Sequence, residues 1–255
     1  MLAFAPGAQS AERGEETPRL EPYHYRPLVH VQEAVERAIE TARQENKLAM
    51  IVLGAEWCHD SRAFGARLSQ PSMQDIMRDS FVTQFVDVGY LEDQRAITGP
   101  LGYPVNFGTP TVLVIDPQSG ELLNFADISI WQDAYSVPLE DYEDYFSNLA
   151  VNWNKGLIHP LTGQASAELQ SFTDRNVQRL MAGYAALGPM LKDYDSDNLE
   201  NTESFEALWA EVRGFRVQFQ KNMTEIRLEQ AGADSPRTGS GWPEYGPFSW
   251  EQTEP

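Results

Sequence analysis

The chain has 255 residues, 42% of them apolar and 11% aromatic, enough to fill one domain with additions or two small domains. Its formal net charge of −19 argues against nucleic acid or an anionic membrane as partner, because the Lys and Arg that would neutralise phosphates are missing. No stretch approaches the run of apolar residues that a transmembrane helix needs.

Residues 1–27 are rich in Pro, Gly, Glu and Ala without a period and read as an irregular lead. Met1 to Ala11 ends like a signal-peptidase site, with Ala8 and Ser10 in the small-residue positions, yet it lacks a basic start and a long apolar run. It reads as the tail of a signal peptide that begins upstream, or as a disordered lead. The first is slightly favoured, which implies an exported, periplasmic protein rather than a cytoplasmic one.

Residues 28–150 carry the pattern of an α/β domain. From Leu28 to Lys47 the apolar positions Val31, Val35, Ala38, Ile39 and Ala42 follow helical spacing. Leu48 to Ala55 is a short continuous apolar run, suited to a central strand covered on both faces. Ser61 to Leu68 starts a helix that Pro71 interrupts, with Ser72 placed to cap a second helical piece through Phe81. Val82 to Val88 and Thr111 to Ile115 are β-rich, and the turn Asp116 to Gly120 leads into Glu121 to Ala126 as a hairpin partner. Pro138 to Ala150 closes the segment as a helix. A parallel strand–helix–strand unit followed by an antiparallel hairpin gives a mixed sheet with helices on both faces.

Residues 151–230 change character. Leu169, Phe172, Asn176, Leu180, Tyr184 and Leu187 sit three or four apart. So do Phe205, Leu208, Val212, Phe215, Phe219, Met223 and Ile226, after Ser204 as a cap. These are two long amphipathic helices joined by the acidic Asp193–Asn201 linker, a C-terminal helical hairpin. The stripe of the second packs against the first helix and the sheet domain, or forms the seam of a homodimer. The tail, residues 231–255, is rich in Gly and Pro and carries Trp242, Tyr245, Phe248 and Trp250, which suggest docking on a surface rather than disorder. Asp127 to Asp144 holds six acids and no base, and Lys192 to Glu206 six acids and one base. Such runs read as a solvated surface, or as a docking face for a basic partner.

There is one cysteine, Cys58, so no intramolecular disulfide forms and any redox chemistry involves a second molecule. It follows a buried strand and stands at the first turn of a helix, where free N–H groups and the positive helix end favour thiolate. His59 and Arg62 add positive charge nearby. His59 has two readings: stabilising the thiolate or donating a proton to a leaving thiol, and an exposed histidine without a role. A Cys58/His59 metal site does not match zinc ligand spacing, so no metal is expected. His24, His30 and His159 are scattered and carry no role, and Met73 with Met77 reads as core filler.

Ala55-Glu56-Trp57-Cys58 after an apolar strand, with Gly108-Thr109-Pro110-Thr111-Val-Leu-Val-Ile about fifty residues on, resembles the two signature segments of the thioredoxin superfamily. The resemblance covers roughly Leu28 to Ala150 and implies a thioredoxin-like mixed sheet flanked by helices. It makes Pro110 a cis-proline beside the cysteine, Thr109 the residue whose backbone meets an extended substrate, and Trp57 an apolar platform. Gly120 matches the glycine of the hairpin.

Two departures from the family shape the expected chemistry. The family's Cys-x-x-Cys is Cys58-His59-Asp60-Ser61, and the buried carboxylate that many members carry six residues earlier is Val52. Without the resolving thiol, its base has no task. A Cys58 thiolate can form a mixed disulfide, but Ser61 cannot release it, although its hydroxyl can hydrogen-bond the thiolate. Release falls to an external thiol such as glutathione, acting as co-substrate, or to another cysteine of a protein or peptide substrate. His59-Asp60 does not match the loop of cluster-binding monothiol glutaredoxins, so no iron–sulfur cofactor is expected. The resemblance therefore implies monothiol exchange (deglutathionylation or disulfide isomerisation), with Cys58, Ser61 and His59 catalytic and Trp57, Thr109 and Pro110 binding substrate. The alternative is a redox-inactive binding or assembly module that uses the groove beside Pro110 and the helical hairpin.

Overall fold

Seven buried residues in a row, Leu48–Gly54, form strand β1, the centre of the sheet. The computed structural model describes residues 23–158, 160–161, 165–232 and 241–251. The readings of residues 1–22 and of His159 lie outside the described residues. Helix α1 (Val31–Glu45) precedes β1, followed by α2 (His59–Leu68), α3 (Pro71–Ser80), β2 (Phe81–Asp87), the short α4 (Arg95–Thr98), β3 (Thr111–Ile115) and α5 (Leu139–Asn154). Two long helices complete the order, α6 (Ala167–Asp195) and α7 (Thr202–Gly232). Among the described residues the sheet has three strands in the order β2-β1-β3, with β1 parallel to β2 and antiparallel to β3.

Alternation along the strands divides the core in two, as the period of two in a strand requires. Ala49, Ile51 and Leu53 of β1, with Leu113 and Ile115 of β3, face α1 and the long helices. Leu48, Met50 and Val52, with Val112 and Val114, face a layer built from α2, α3 and α5, including Phe64, Met73, Met77, Tyr142 and Phe146. The sheet is thus a mixed one, flanked by helices, with a helical hairpin added on one face.

Local physics corrects four details. α1 ends at Glu45 rather than Lys47, because Asn46 adopts the left-handed conformation (φ 53°) that closes a helix. Pro71 opens α3 at its first turn, where a missing N–H costs nothing, and the Ser72 hydroxyl bonds the Glu143 carboxylate instead of capping. The cap before α7 is Asn201, whose Oδ1 accepts the Ser204 N–H at 3.0 Å. Glu121 to Ala126 is not a strand. Only an isolated Ile115–Leu122 bridge forms, and the Asn124 amide takes over the pairing. Its Nδ2 donates to the Val112 carbonyl at 2.9 Å and its Oδ1 accepts from the Val114 N–H at 2.8 Å.

α6 and α7 lie against each other, and both stripes are covered within the chain. Leu169, Phe172, Leu180, Tyr184 and Leu187 join Val212, Phe215, Phe219, Met223 and Ile226 in the core that contains the α1 face of the sheet. The described part of the tail docks on this hairpin. Trp250 Nε1 donates to the Arg179 carbonyl at 3.1 Å, and the Arg179 guanidinium pairs with Glu251 and lies over the Phe248 ring. Among the described residues, no helix is long and apolar enough to cross a membrane.

Candidate functional site

Cys58 is the N-cap residue of α2, in extended conformation, at the end of the turn that leaves β1. It makes no side-chain cap bond to the first turn. The Sγ sits 3.2 Å from the Thr109 carbonyl oxygen, to which the thiol donates, and the residue is 9% exposed. The Thr109–Pro110 peptide bond is cis. These residues meet because β1 and β3 pair side by side, so the loop after one strand faces the loop before the other.

Trp57 is half-buried. Its Nε1 donates to the Gly89 carbonyl at 2.8 Å, and its ring meets Trp209 of α7 edge-on, with centroids 6.3 Å apart. His59 is exposed, with Nε2 3.2 Å from Asp60 Oδ2 and its ring against Tyr135. Ser61 is fully buried, and its Oγ accepts the Ala55 N–H at 3.3 Å. It packs on Gly54, where a Cβ would stand 2.6 Å from the Ser61 Oγ and 2.4 Å from the Tyr25 ring, so only glycine fits. The structure thus brings Trp57, Cys58, His59, Thr109 and Pro110 to one loop cluster and sets Ser61 beneath it. Val52 lies in the apolar layer behind.

A cleft of about 850 Å³ opens in front of Cys58. One wall is Trp57, His59 and Thr109; the other comes from the helical hairpin, through Tyr194 of α6 and Phe205, Trp209 and Arg213 of α7. Sequence reasoning missed this second wall. Trp209, Arg213 and Arg216 each follow a position of the apolar stripe (Leu208, Val212 and Phe215) by one residue, a signal that marks a flank of the helix but not what it faces. It also missed Asp60, which is buried and accepts the Tyr135 N–H at 3.0 Å, fixing the segment after the Ile128–Asp133 turn onto the start of α2. Gln132 lines the cleft beside Thr109.

The hairpin also holds the loop before Pro110. The Tyr184 hydroxyl lies 2.9 Å from the Phe107 carbonyl and 3.1 Å from that of Asn106, and Gln220 Nε2 donates to the Tyr103 hydroxyl at 2.8 Å. Burial raises the Tyr103 and Tyr184 phenols above their usual range; the Arg216 guanidinium partly offsets this at Tyr184. Among the described residues, no three His, Cys, Asp or Glu side chains stand together so as to hold a metal ion.

Residues 30–117 match a family model described as thioredoxin-like. Among solved structures, the chain is similar to a disulphide isomerase from Xylella fastidiosa Temecula1, with 22% identity, a TM-score of 0.45, and coverage of 49% of this chain and 95% of that one. No curated protein matches the chain.

Proposed function

We propose, from the premise that residues 30–117 are a thioredoxin-like domain, that the chain carries out thiol–disulfide exchange with Cys58 as its single nucleophile. The Cys58 thiolate attacks one sulfur of a disulfide. A Cys58 mixed disulfide forms and the other sulfur leaves as thiolate. Because the chain has one cysteine, a second molecule's thiolate completes the cycle: glutathione in deglutathionylation, or another cysteine of a protein substrate in isomerisation. The observation that carries this reading is the position of Sγ. It lies at the N-terminal end of the ten-residue α2 and lines a cleft. In this reading His59, whose ring lies against Asp60 and Tyr135, exchanges protons with a leaving thiol, and Ser61 supports the loop through Ala55.

A redox-inactive binding role is the second reading. It is favoured by the Ser61 hydroxyl being engaged with the backbone of Ala55 and by Sγ being bonded to Thr109. One experiment separates the two. The folded chain is incubated with glutathione disulfide, and its mass is measured before and after excess glutathione. A reversible adduct on Cys58, absent from Cys58→Ser, is the expected result. A cysteine that gains the adduct only after unfolding in urea sinks the exchange reading and leaves the binding one.

A further inference from the structure

The cleft in front of Cys58 is lined by Arg213 and Arg216 of α7 and, on the facing wall, by Gln132. Arg216 Nε is buried without a partner, and so is Gln132 Nε2, on the opposite wall beside Thr109. Neither Arg213 nor Arg216 forms an ion pair among the described residues, although acids outnumber bases two to one in the chain (38 against 19). A buried donor without an acceptor costs free energy that a bound acceptor recovers. The acids on the same cleft are more fully committed. Asp60 accepts from Tyr135 and faces His59, and Asp195 accepts from the Tyr90 hydroxyl at 2.9 Å, which leaves Glu206. Arg216 is held in place, its guanidinium over the Trp209 ring at 5.7 Å. The Arg216 guanidinium touches the Tyr184 hydroxyl but meets no carboxylate among the described residues, and two guanidinium groups without an ion pair beside one nucleophile favour a ligand that carries negative charge. The volume, about 850 Å³, suits a small molecule or a short peptide end rather than a folded surface.

We propose that this cleft selects small disulfides that carry carboxylates, with Arg213 and Arg216 of α7, aided by Gln132, taking the carboxylate while Cys58 exchanges with the sulfur. The inference rests on the thiol-exchange reading and names its substrate class. The exchange is balanced as above: the Cys58 thiolate forms one S–S bond as the substrate's own breaks, the departing half leaves as a thiolate, and the thiolate of a low-molecular-weight thiol later reverses the step. The extension that the thioredoxin-like domain lacks, the α6–α7 hairpin, becomes the specificity wall of the site.

The test exploits the chain's own charge. A net charge of −19 on its own repels anions and draws cations, so without a local site the cationic disulfide reacts fastest. Mixed-disulfide formation at Cys58 is timed by mass spectrometry with dithiodipropionate (anionic), hydroxyethyl disulfide (neutral) and cystamine (cationic) at physiological salt. Each rate is divided by that of mercaptoethanol with the same reagent. The expected result is a normalised rate for the anion about tenfold above that for the cation, falling several-fold in Arg213→Gln and again in Arg213→Gln/Arg216→Gln. Arg213 is exposed, so its variant folds, and melting curves check the double variant. Equal rates, or a preference for cystamine, overturn the substrate class while the adducts themselves keep the exchange reading. An anion preference untouched by either variant overturns the assignment to these arginines. No adduct in the folded chain with any reagent overturns both.

Discussion

The Tyr184 hydroxyl, on the first helix of the C-terminal hairpin, lies 2.9 Å from the carbonyl oxygen of Phe107, two residues before Thr109. Through this bond the added helices hold the loop that carries the carbonyl facing Cys58. Tyr184→Phe keeps the buried ring and removes the hydroxyl, leaving the Phe107 and Asn106 carbonyls without that partner. A loss of about 1–3 kcal/mol is expected in urea unfolding. The loop also loosens, so alkylation of Cys58 by iodoacetamide in the folded state speeds up. A variant with unchanged stability and unchanged alkylation would show that the hairpin does not support the loop.

Asn124 closes the free edge of β3 with a side chain in place of a strand, bonding both Val112 and Val114. Asn124→Ala strands one buried N–H and one buried carbonyl, at about 1–3 kcal/mol for each group left unpaired. Asn124→Asp keeps the acceptor but turns the donor into a second acceptor facing the Val112 carbonyl, so it is expected to be at least as unstable. Denaturant midpoints of the two variants check the order. If Asn124→Ala matches the parent, water serves the edge equally well.

Five buried tyrosines are expected to set the alkaline limit of the fold. Burial is the first cause that raises the phenols of Tyr25, Tyr103, Tyr142, Tyr145 and Tyr184 above the ordinary value of 10.0. In the unfolded chain they ionise near pH 10, while in the fold they hold their protons to higher pH. Their contribution to stability is therefore fully present below about pH 10 and is lost as pH rises above it, by up to about 1.4 kcal/mol per pH unit for each group between its two values. Urea midpoints are expected to stay level up to about pH 9 and fall steeply beyond about pH 10, with tyrosinate absorbance rising together with unfolding. A gradual, non-cooperative rise in absorbance would place these rings in water.

How far the sequence foretold this site depends on the distance over which each signal acts. The unbroken apolar run at Leu48–Gly54 and the three-to-four spacing from Phe205 to Ile226 report a local period, and a period fixes the element that buries it. The meeting of the Cys58 and Pro110 loops was legible only through the family resemblance. The Asn124 edge was not, because its Asn imitates a strand with side-chain atoms and leaves no alternation to read. Nor was the second wall of the cleft. Trp209 and Arg213 lie about 150 residues beyond Cys58, and their one-residue offset from the apolar stripe says that they flank a core without saying what stands across from them. Pro189 is a further feature of the hairpin. It sits inside α6, which runs on past it to Asp195.

The contact just before that proline offers a sharp test of how closely the hairpin seats on the site. At Gly188 an added Cβ would stand 2.4 Å from the Tyr90 carbonyl oxygen, a backbone atom that cannot rotate away. Tyr90 follows Gly89, whose carbonyl accepts the Trp57 indole. Gly188→Ala gains helix propensity, worth about 1 kcal/mol at an unconstrained site. Here the overlap outweighs that gain, with a net loss of about 1–3 kcal/mol as α6 or the Tyr90 turn shifts. Because the shifted turn carries the acceptor of Trp57, tryptophan fluorescence and the rate of Cys58 adduct formation are expected to change along with the melting temperature. A variant that is more stable than the parent, as helix propensity alone predicts, would mean that α6 stands farther from Tyr90 and that the hairpin is not a fixed wall of the Cys58 cleft.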